Sequence, residues 1–117
     1  MGLKINEVES LVGITRKNIR FYEAEGLLSP RRNSQNGYRD YGAPEVDALR
    51  RIKLLRKLSL EVGTISRLKA GELTLSQALR EQAAVLEADR GDLERYAQVC
   101  LEMSRTEVDF GTLDPEP

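Results

Sequence analysis

Three basic residues, Arg16, Lys17 and Arg20, are spaced so that they share one face of a predicted helix. At about 100° per residue they fall within one sector, whereas Ile19 and Tyr22 lie roughly opposite and face a core. Guanidinium and ammonium groups in such a row can donate hydrogen bonds to base edges and phosphates. A solvated helix with ordinary surface charge is the plainer interpretation. Thr15 in front of the row favours nucleic-acid binding, because a capped helix start also suits a phosphate.

Basic and aromatic residues also frame a polar turn that follows this helix. Arg31-Arg32 precedes the turn at residues 33–37, and Tyr38-Arg39-Asp40-Tyr41 follows it. Asn36-Gly37 supplies residue types that tolerate a positive φ, as a tight hairpin turn requires. The pattern predicts a small hairpin that lies on a nucleic-acid backbone. Cross-strand packing of the same Arg and Tyr side chains is compatible with that role.

Two short helices precede the hairpin. Asn6 and Glu9 resemble a capping box, and the helix that they open stops at Gly13. Thr15 caps the next helix, so the two form a predicted helix-turn-helix. A third helix is expected from about Ala43 to Leu58, with Gly42 at its cap.

Composition limits the possible functions. The 117 residues include one cysteine and no histidine, which excludes a disulfide framework and an ordinary single-chain zinc site. Residues 1–58 contain 12 Lys/Arg and 7 Asp/Glu, a balance of +5, whereas residues 59–117 contain 6 and 12, a balance of −6. A basic front and an acidic back suit a nucleic-acid-binding head. The sequence contains no nucleophile motif and no phosphate loop, so an enzyme is not expected, and neither is a cofactor. Because the sequence lacks a signal-peptide pattern, a cytoplasmic location is the default expectation.

A long helix is predicted behind the head, from Leu75 to about Thr106. Thr74 and Gln77 form a second capping box at its start. Such a helix would be about 48 Å long, which favours a coiled-coil dimer over packing in a monomeric bundle. Two heptad columns supply the expected dimer interface: Leu79, Leu86, Leu93, Tyr96, Cys100 and Met103.

Taken together, the segment 14–23, then Gly26-Leu27-Leu28, Pro30, Arg32, Asn36-Gly37-Tyr38-Arg39 and Tyr41, resembles the MerR family of bacterial transcription regulators. The similarity covers residues 3 to about 70. It implies a mainly α fold with a winged helix-turn-helix head at 1–71, a dimerisation helix at 72–106 that pairs antiparallel with its twin, and an acidic tail at 107–117. It also implies a homodimer that bends and untwists promoter DNA so that RNA polymerase can engage it.

The resemblance also assigns DNA-binding positions: Thr15, Arg16, Lys17, Arg20, Phe21, Tyr22, Arg32, Tyr38, Arg39 and Lys57. In the family, a second wing follows the third helix, and there this sequence departs from the family pattern. Ser59 stands where a turn glycine is usual, and Gly63 weakens the fourth helix, expected at about 62–70. We therefore expect this helix to be the weakest element of the head.

The sequence identifies no inducer. Cys100 in the predicted seam is expected to be a small buried hydrophobe, with a redox sensor as the alternative. The acidic, Pro-flanked tail is also compatible with a linker to a further domain. An excisionase-like or architectural DNA-binding protein shares the winged head and is the alternative function.

Overall fold

The described residues, 2–105 and 109–115 of a computed structural model, form helices around one small hairpin. The elements follow the order α1 (Ile5–Val12), α2 (Arg16–Ala24), β1 (Arg31–Arg32), β2 (Arg39–Asp40), α3 (Ala43–Lys57), α4 (Val62–Lys69), α5 (Leu75–Ser104) and a 3₁₀ turn (Phe110–Thr112). Two compact units meet within α5, one up to Leu79 and one from Arg80 onward. The predicted class, mainly α with a two-stranded wing and a long C-terminal helix, is confirmed.

The first unit is built on one apolar core. Its largest fully buried side chains come from different elements, so the core joins helices, turn and wing. Ile19 and Tyr22 belong to it, which confirms the predicted inner face of α2. The buried members are Val8, Val12, Ile14, Ile19, Tyr22, Leu27, Leu28, Tyr41, Val46, Leu49, Ile52, Leu60, Ile65 and Ala78.

The predicted capping box at Asn6 is wrong. α1 starts at Ile5 with Lys4 at its N-cap, and Asn6 lies inside the helix. Glu7 is the residue that supplies the capping acceptor, because the backbone N–H of Lys4 donates to its Oε1 at 3.0 Å. The helix therefore begins two residues before the position that the Asn residue suggested.

Glu9 instead joins α1 to the start of α2. Its Oε2 accepts from the backbone N–H of Arg16 at 2.6 Å. This bond, with the weaker side-chain contact from Arg16, holds the pKa of Glu9 below its ordinary value despite some desolvation. The carboxylate satisfies a free N–H group at a helix start, where the helix dipole also favours an anion.

A tight turn separates α1 from α2, as predicted. Gly13 takes a left-handed conformation with φ of 68°. Beside it, Lys53 of α3 donates from Nζ to the carbonyl of Val12 at 2.8 Å. A Cβ at Gly13 would lie 2.7 Å from that Nζ, which the flexible lysine side chain can move away, so the left-handed turn is what favours glycine here.

The wing is a hairpin with two short antiparallel strands. Arg31 pairs with Asp40 and Arg32 with Arg39. Only Gly37 of the predicted Asn36-Gly37 pair takes a positive φ, at 74°. The side chain of Asn36 accepts from the Tyr38 N–H at 2.9 Å instead.

A contact that the sequence did not suggest anchors the wing to the N-terminal segment. Leu3 and Tyr41 form an isolated antiparallel bridge, with N···O distances of 2.7 and 2.8 Å. The bridge continues the line of β2, and the Tyr41 side chain is fully buried. A hairpin of this size is marginally stable alone, so these attachments hold it in place.

The turn between α3 and α4 carries the backbone strain that the sequence predicted. Ser59 has φ of 69°, the one positive value at a described non-glycine residue. Arg56 supports the turn by donating from Nη1 to the carbonyl of Leu60 at 2.9 Å. α4 follows in spite of Gly63, and Leu60 and Ile65 are buried in the core.

α5 starts with the predicted capping box. Gln77 N–H donates to Thr74 Oγ1 at 3.1 Å, and Thr74 N–H donates to Gln77 Oε1 at 3.2 Å. The helix runs without a break through Gly91, where the sequence suggested a weak point or a hinge. Its predicted end at Thr106 lies outside the described residues, as do positions 107, 108, 116 and 117 of the predicted tail.

We predict that Ser59→Gly raises the free energy of unfolding by about 0.5 kcal/mol. The substitution relieves left-handed strain of about 1 kcal/mol, and the greater freedom of glycine in the unfolded chain offsets part of that gain. Urea denaturation of both proteins measures the difference. Ser29→Gly is the control, since Ser29 has no positive φ and should lose stability slightly. A loss of stability in Ser59→Gly would contradict the strain argument.

We predict that Glu9→Gln destabilises the protein at pH 7 and that the difference shrinks in acid. Because the folded-state pKa of Glu9 is lowered, its contribution is present above the ordinary carboxyl pKa. It is lost as the pH falls through the lowered value. Urea denaturation from pH 7 downward provides the measurement. Glu25→Gln is the control, because it removes a carboxylate that has no ion-pair partner among the described residues. A difference between Glu9→Gln and the wild type that is the same at every pH would argue against the Glu9 bond.

Candidate nucleic-acid interface

The outer face of α2 presents the three cations that the sequence placed together. Arg16, Lys17 and Arg20 are all exposed, and the opposite face is held in the core. Thr15 caps the helix by accepting from the Asn18 N–H at 3.3 Å. The helix is therefore fixed by one face and its N-cap, and its cations are available to a ligand.

The three cations differ in how far they are engaged. Arg16 Nη2 lies 3.5 Å from Glu9 Oε1, a long contact between side chains that are 51% and 33% exposed. Such an exposed pair contributes little and can exchange for another anion. Lys17 and Arg20 have no carboxylate partner within the described part of the chain. Two cations of this face are thus unpaired.

The aromatic pair of α2 divides between surface and core. Phe21 is 46% exposed and Tyr22 only 7%. The ring centroids lie 5.8 Å apart with planes tilted by 54°. Phe21 is consequently available at the rim of the cationic face, whereas Tyr22 mainly holds α2 in the core.

The wing adds exposed and partly engaged side chains beside α2. Tyr38 is 67% exposed. Arg32 donates from Nη1 to the carbonyl of Gly37 at 3.2 Å, which ties the guanidinium across the turn. Lys57 is exposed at the end of α3, with no ion-pair partner among residues 2–105 and 109–115.

Arg39 is held more firmly than the sequence indicated. Its Nε donates to Glu23 Oε1 at 2.7 Å, between side chains that are 36% and 22% exposed. This hydrogen bond raises the pKa of the Arg39 guanidinium above its ordinary value. Tyr41 lies close by, and burial and then the Glu23 charge raise the pKa of its phenol. The pair connects the wing with α2.

A cleft of about 540 Å³ brings several of these residues together. It lies between the start of α1, α2 and the wing, and its cations are Lys4, Arg20, Arg32 and Arg39. Sequence reasoning missed Lys4 and the role of Glu23. The Asn6 pattern predicts a later helix start and so leaves Lys4 outside the helix cap, and the position of Glu23 on a cationic helix does not indicate a partner in the wing.

The predicted dimer residues all lie on α5 and are exposed in the single chain. Leu93 is 65% exposed and Tyr96 61%, values that are unusual for a row of large apolar side chains. The other members of the row are also exposed: Leu79, Leu86, Cys100 and Met103.

Residues 2–105 and 109–115 contain no cluster of three or more His, Cys, Asp or Glu side chains that could hold a metal ion. Among the helices of the same residues, none has the length and apolar character needed to cross a membrane.

Comparison with known proteins identifies the family. The model of the MerR HTH family regulatory protein matches residues 3–72. The heavy metal-dependent transcription regulator 2 of Rhizobium meliloti (strain 1021) is 35% identical over 104 residues, which cover 89% of this chain and 71% of the relative.

Solved structures share the fold. The N-terminal part of MtaN, the Bacillus subtilis multidrug transporter activator, has a TM-score of 0.76 at 17% identity and covers 89% of this chain and 99% of its own. HiNmlR, a MerR family regulator lacking the sensor domain and bound to promoter DNA, has a TM-score of 0.59 at 20% identity, with 84% and 80% covered. The winged head and the family match agree, and the chain belongs to the MerR family of DNA-binding transcription regulators.

Proposed function

We propose that this regulator binds promoter DNA as a homodimer, with α2 in the major groove and the wing along the adjacent backbone. The observation that carries the proposal is the two-faced α2, which is buried on one side and cationic on the other. Arg16, Lys17 and Arg20 are suited to base edges and phosphates. HiNmlR, which is bound to promoter DNA in its structure, supports the same ligand class.

The neighbouring elements extend this surface. Phe21 and Tyr38 offer exposed rings that can contact sugars, and Thr15 offers a hydroxyl at the start of the helix. Arg32 and Arg39 of the wing and Lys57 at the end of α3 supply contacts with the DNA backbone. Tyr22 contributes by anchoring the helix, because its side chain is nearly all in the core.

The dimer part of the proposal rests on α5. An exposed apolar row along a helix of 30 residues needs a partner in water. A twin helix in antiparallel arrangement would cover the row from Leu79 to Met103 and would supply two heads for two half-sites. An excisionase-like protein has no need of such a row, so α5 favours the dimeric regulator.

Control of transcription would follow from distortion of the promoter. Two heads joined by one rigid coil can bend and untwist the DNA between their half-sites, at a cost that contacts with the backbone offset. This change would bring promoter elements with a long spacer into reach of RNA polymerase, as in the family mechanism.

We predict that Arg20→Ala lowers affinity for a duplex selected from a random-sequence pool by about 1–3 kcal/mol and relaxes the sequence preference, because arginine pairs with guanine O6 and N7. Binding curves on the selected duplex and on its scrambled version measure both effects. Arg90→Ala is the control, since it removes the same charge from α5. Equal losses on the two duplexes would show that Arg20 does not read bases.

We predict that Leu93→Asp yields a folded monomer with much weaker DNA binding. A carboxylate buried without a partner in an apolar seam is strongly unfavourable, and one head makes half of the phosphate contacts. Sedimentation measures the assembly. Ala84→Asp is the matched control, because position 84 lies on the opposite side of α5. A dimer that survives Leu93→Asp would place the seam on another face.

A further inference from the structure

The cleft between the start of α1, α2 and the wing has the character of an anion site. We propose that it takes one backbone phosphate of the bound DNA, and that Glu23 is the positioning residue that holds Arg39 for this contact. The inference rests on the proposed DNA binding and extends it to two residues outside the predicted interface, Lys4 and Glu23.

The charge of the cleft supports the proposal that it takes a phosphate. Four of the residues that line it are cations, and none is acidic. Lys4 and Arg20 have no anionic partner within residues 2–105 and 109–115, and Arg32 is bonded only to a neutral carbonyl. A concave surface with unpaired cations attracts an anion, and phosphate oxygens accept hydrogen bonds from both Lys and Arg. The volume of about 540 Å³ leaves room for a phosphate with adjoining sugar atoms.

The geometry of Arg39 supports the proposal that Glu23 positions it. Glu23 takes only Nε, at 2.7 Å, so both terminal nitrogens of the guanidinium remain without a partner among the described residues. Those two nitrogens form the fork that suits a phosphate. Because the other side of the guanidinium is held, less conformational entropy is lost when the phosphate binds.

Glu23 is itself fixed by its surroundings. Glu23 is partly buried, and its Oε2 is shielded from solvent without a hydrogen-bond partner in the described part of the chain. The Tyr41 hydroxyl, also buried and unpartnered, feels the Glu23 charge. The carboxylate is therefore partly enclosed between α2 and the wing, the two elements that would meet the same DNA, and its one bond within the described residues is to Arg39.

A simpler role for Glu23 makes the opposite prediction. If Glu23 only offset nearby positive charge, its neutralisation would strengthen DNA binding by removing repulsion from the phosphates. If it positions Arg39, Glu23→Gln should weaken binding about fivefold on selected and scrambled duplexes alike, and should lower the salt slope by up to about one. The sign of the effect separates the two roles.

The first experiment measures salt-dependent affinity of the full chain for both duplexes. Glu25→Gln is the matched control, because it removes the same charge from the end of the same helix, where the carboxylate has no ion-pair partner within residues 2–105 and 109–115. It should bind as well as the wild type or better. In an Arg39→Gln background, Glu23→Gln should cause no further loss. Tighter binding by Glu23→Gln alone, or a full additional loss in the double variant, would overturn the positioning role.

The second experiment tests the phosphate site through Lys4, whose exposed side chain can change without harm to the core. Lys4→Gln should weaken binding about fivefold on both duplexes and lower the salt slope by about one, whereas Lys4→Arg should bind like the wild type. Neutral methylphosphonate groups, placed one position at a time along the selected duplex, should reveal one phosphate in each half-site whose neutralisation weakens the wild type more than it weakens Lys4→Gln.

The outcomes distinguish failure of the proposed function from failure of the phosphate site. A wild-type chain without sequence preference for any duplex would contradict the proposed function itself. Specific binding that depends on Arg20, together with wild-type affinity in Lys4→Gln and no methylphosphonate position that depends on Lys4, would overturn the phosphate site alone.

Discussion

Burial of one face of α2 is the constraint on which the rest of the molecule depends. Ile19 is fully buried and Tyr22 nearly so, and together they fix the rotation of the helix about its axis. Because side chains on opposite sides of a helix cannot both face inward, this rotation keeps Lys17 and Arg20 at the surface. The core thus determines the geometry of the cationic face, although none of its members needs to touch a ligand.

Two carboxylates then set the neighbours of α2 around it. Glu9 reaches from α1 to the first N–H of α2, and Glu23 reaches from α2 to Arg39 in the wing. Each places a negative charge beside the surface that would meet DNA, which is unfavourable for binding by itself. Glu9 accepts from a backbone N–H, and Glu23 accepts from a guanidinium. The order that these bonds give to α1, α2 and the wing offsets the repulsion between the carboxylates and DNA phosphates.

Local signals predicted the elements well where they depended on neighbouring residues. The capping box at Thr74, the stop at Gly13 and the strained turn at Ser59 follow from short-range chemistry and appear in the structure. The cap predicted at Asn6 was wrong, because the carboxylate of Glu7 accepts from the Lys4 N–H and the helix starts earlier. Contacts between distant segments, such as Leu3 with Tyr41 and Glu23 with Arg39, depend on how the elements pack, and the sequence alone carried no sign of them.

Methylation protection of bound DNA measures whether α2 enters the major groove. Dimethyl sulfate modifies guanine N7 in the major groove and adenine N3 in the minor groove, so one reaction on a selected duplex reports both. If α2 lies in the major groove, the full chain should protect guanine N7 in two half-sites on one face of the duplex, separated by a whole number of helical turns. Protection of adenine N3 with unchanged guanine N7 would contradict it.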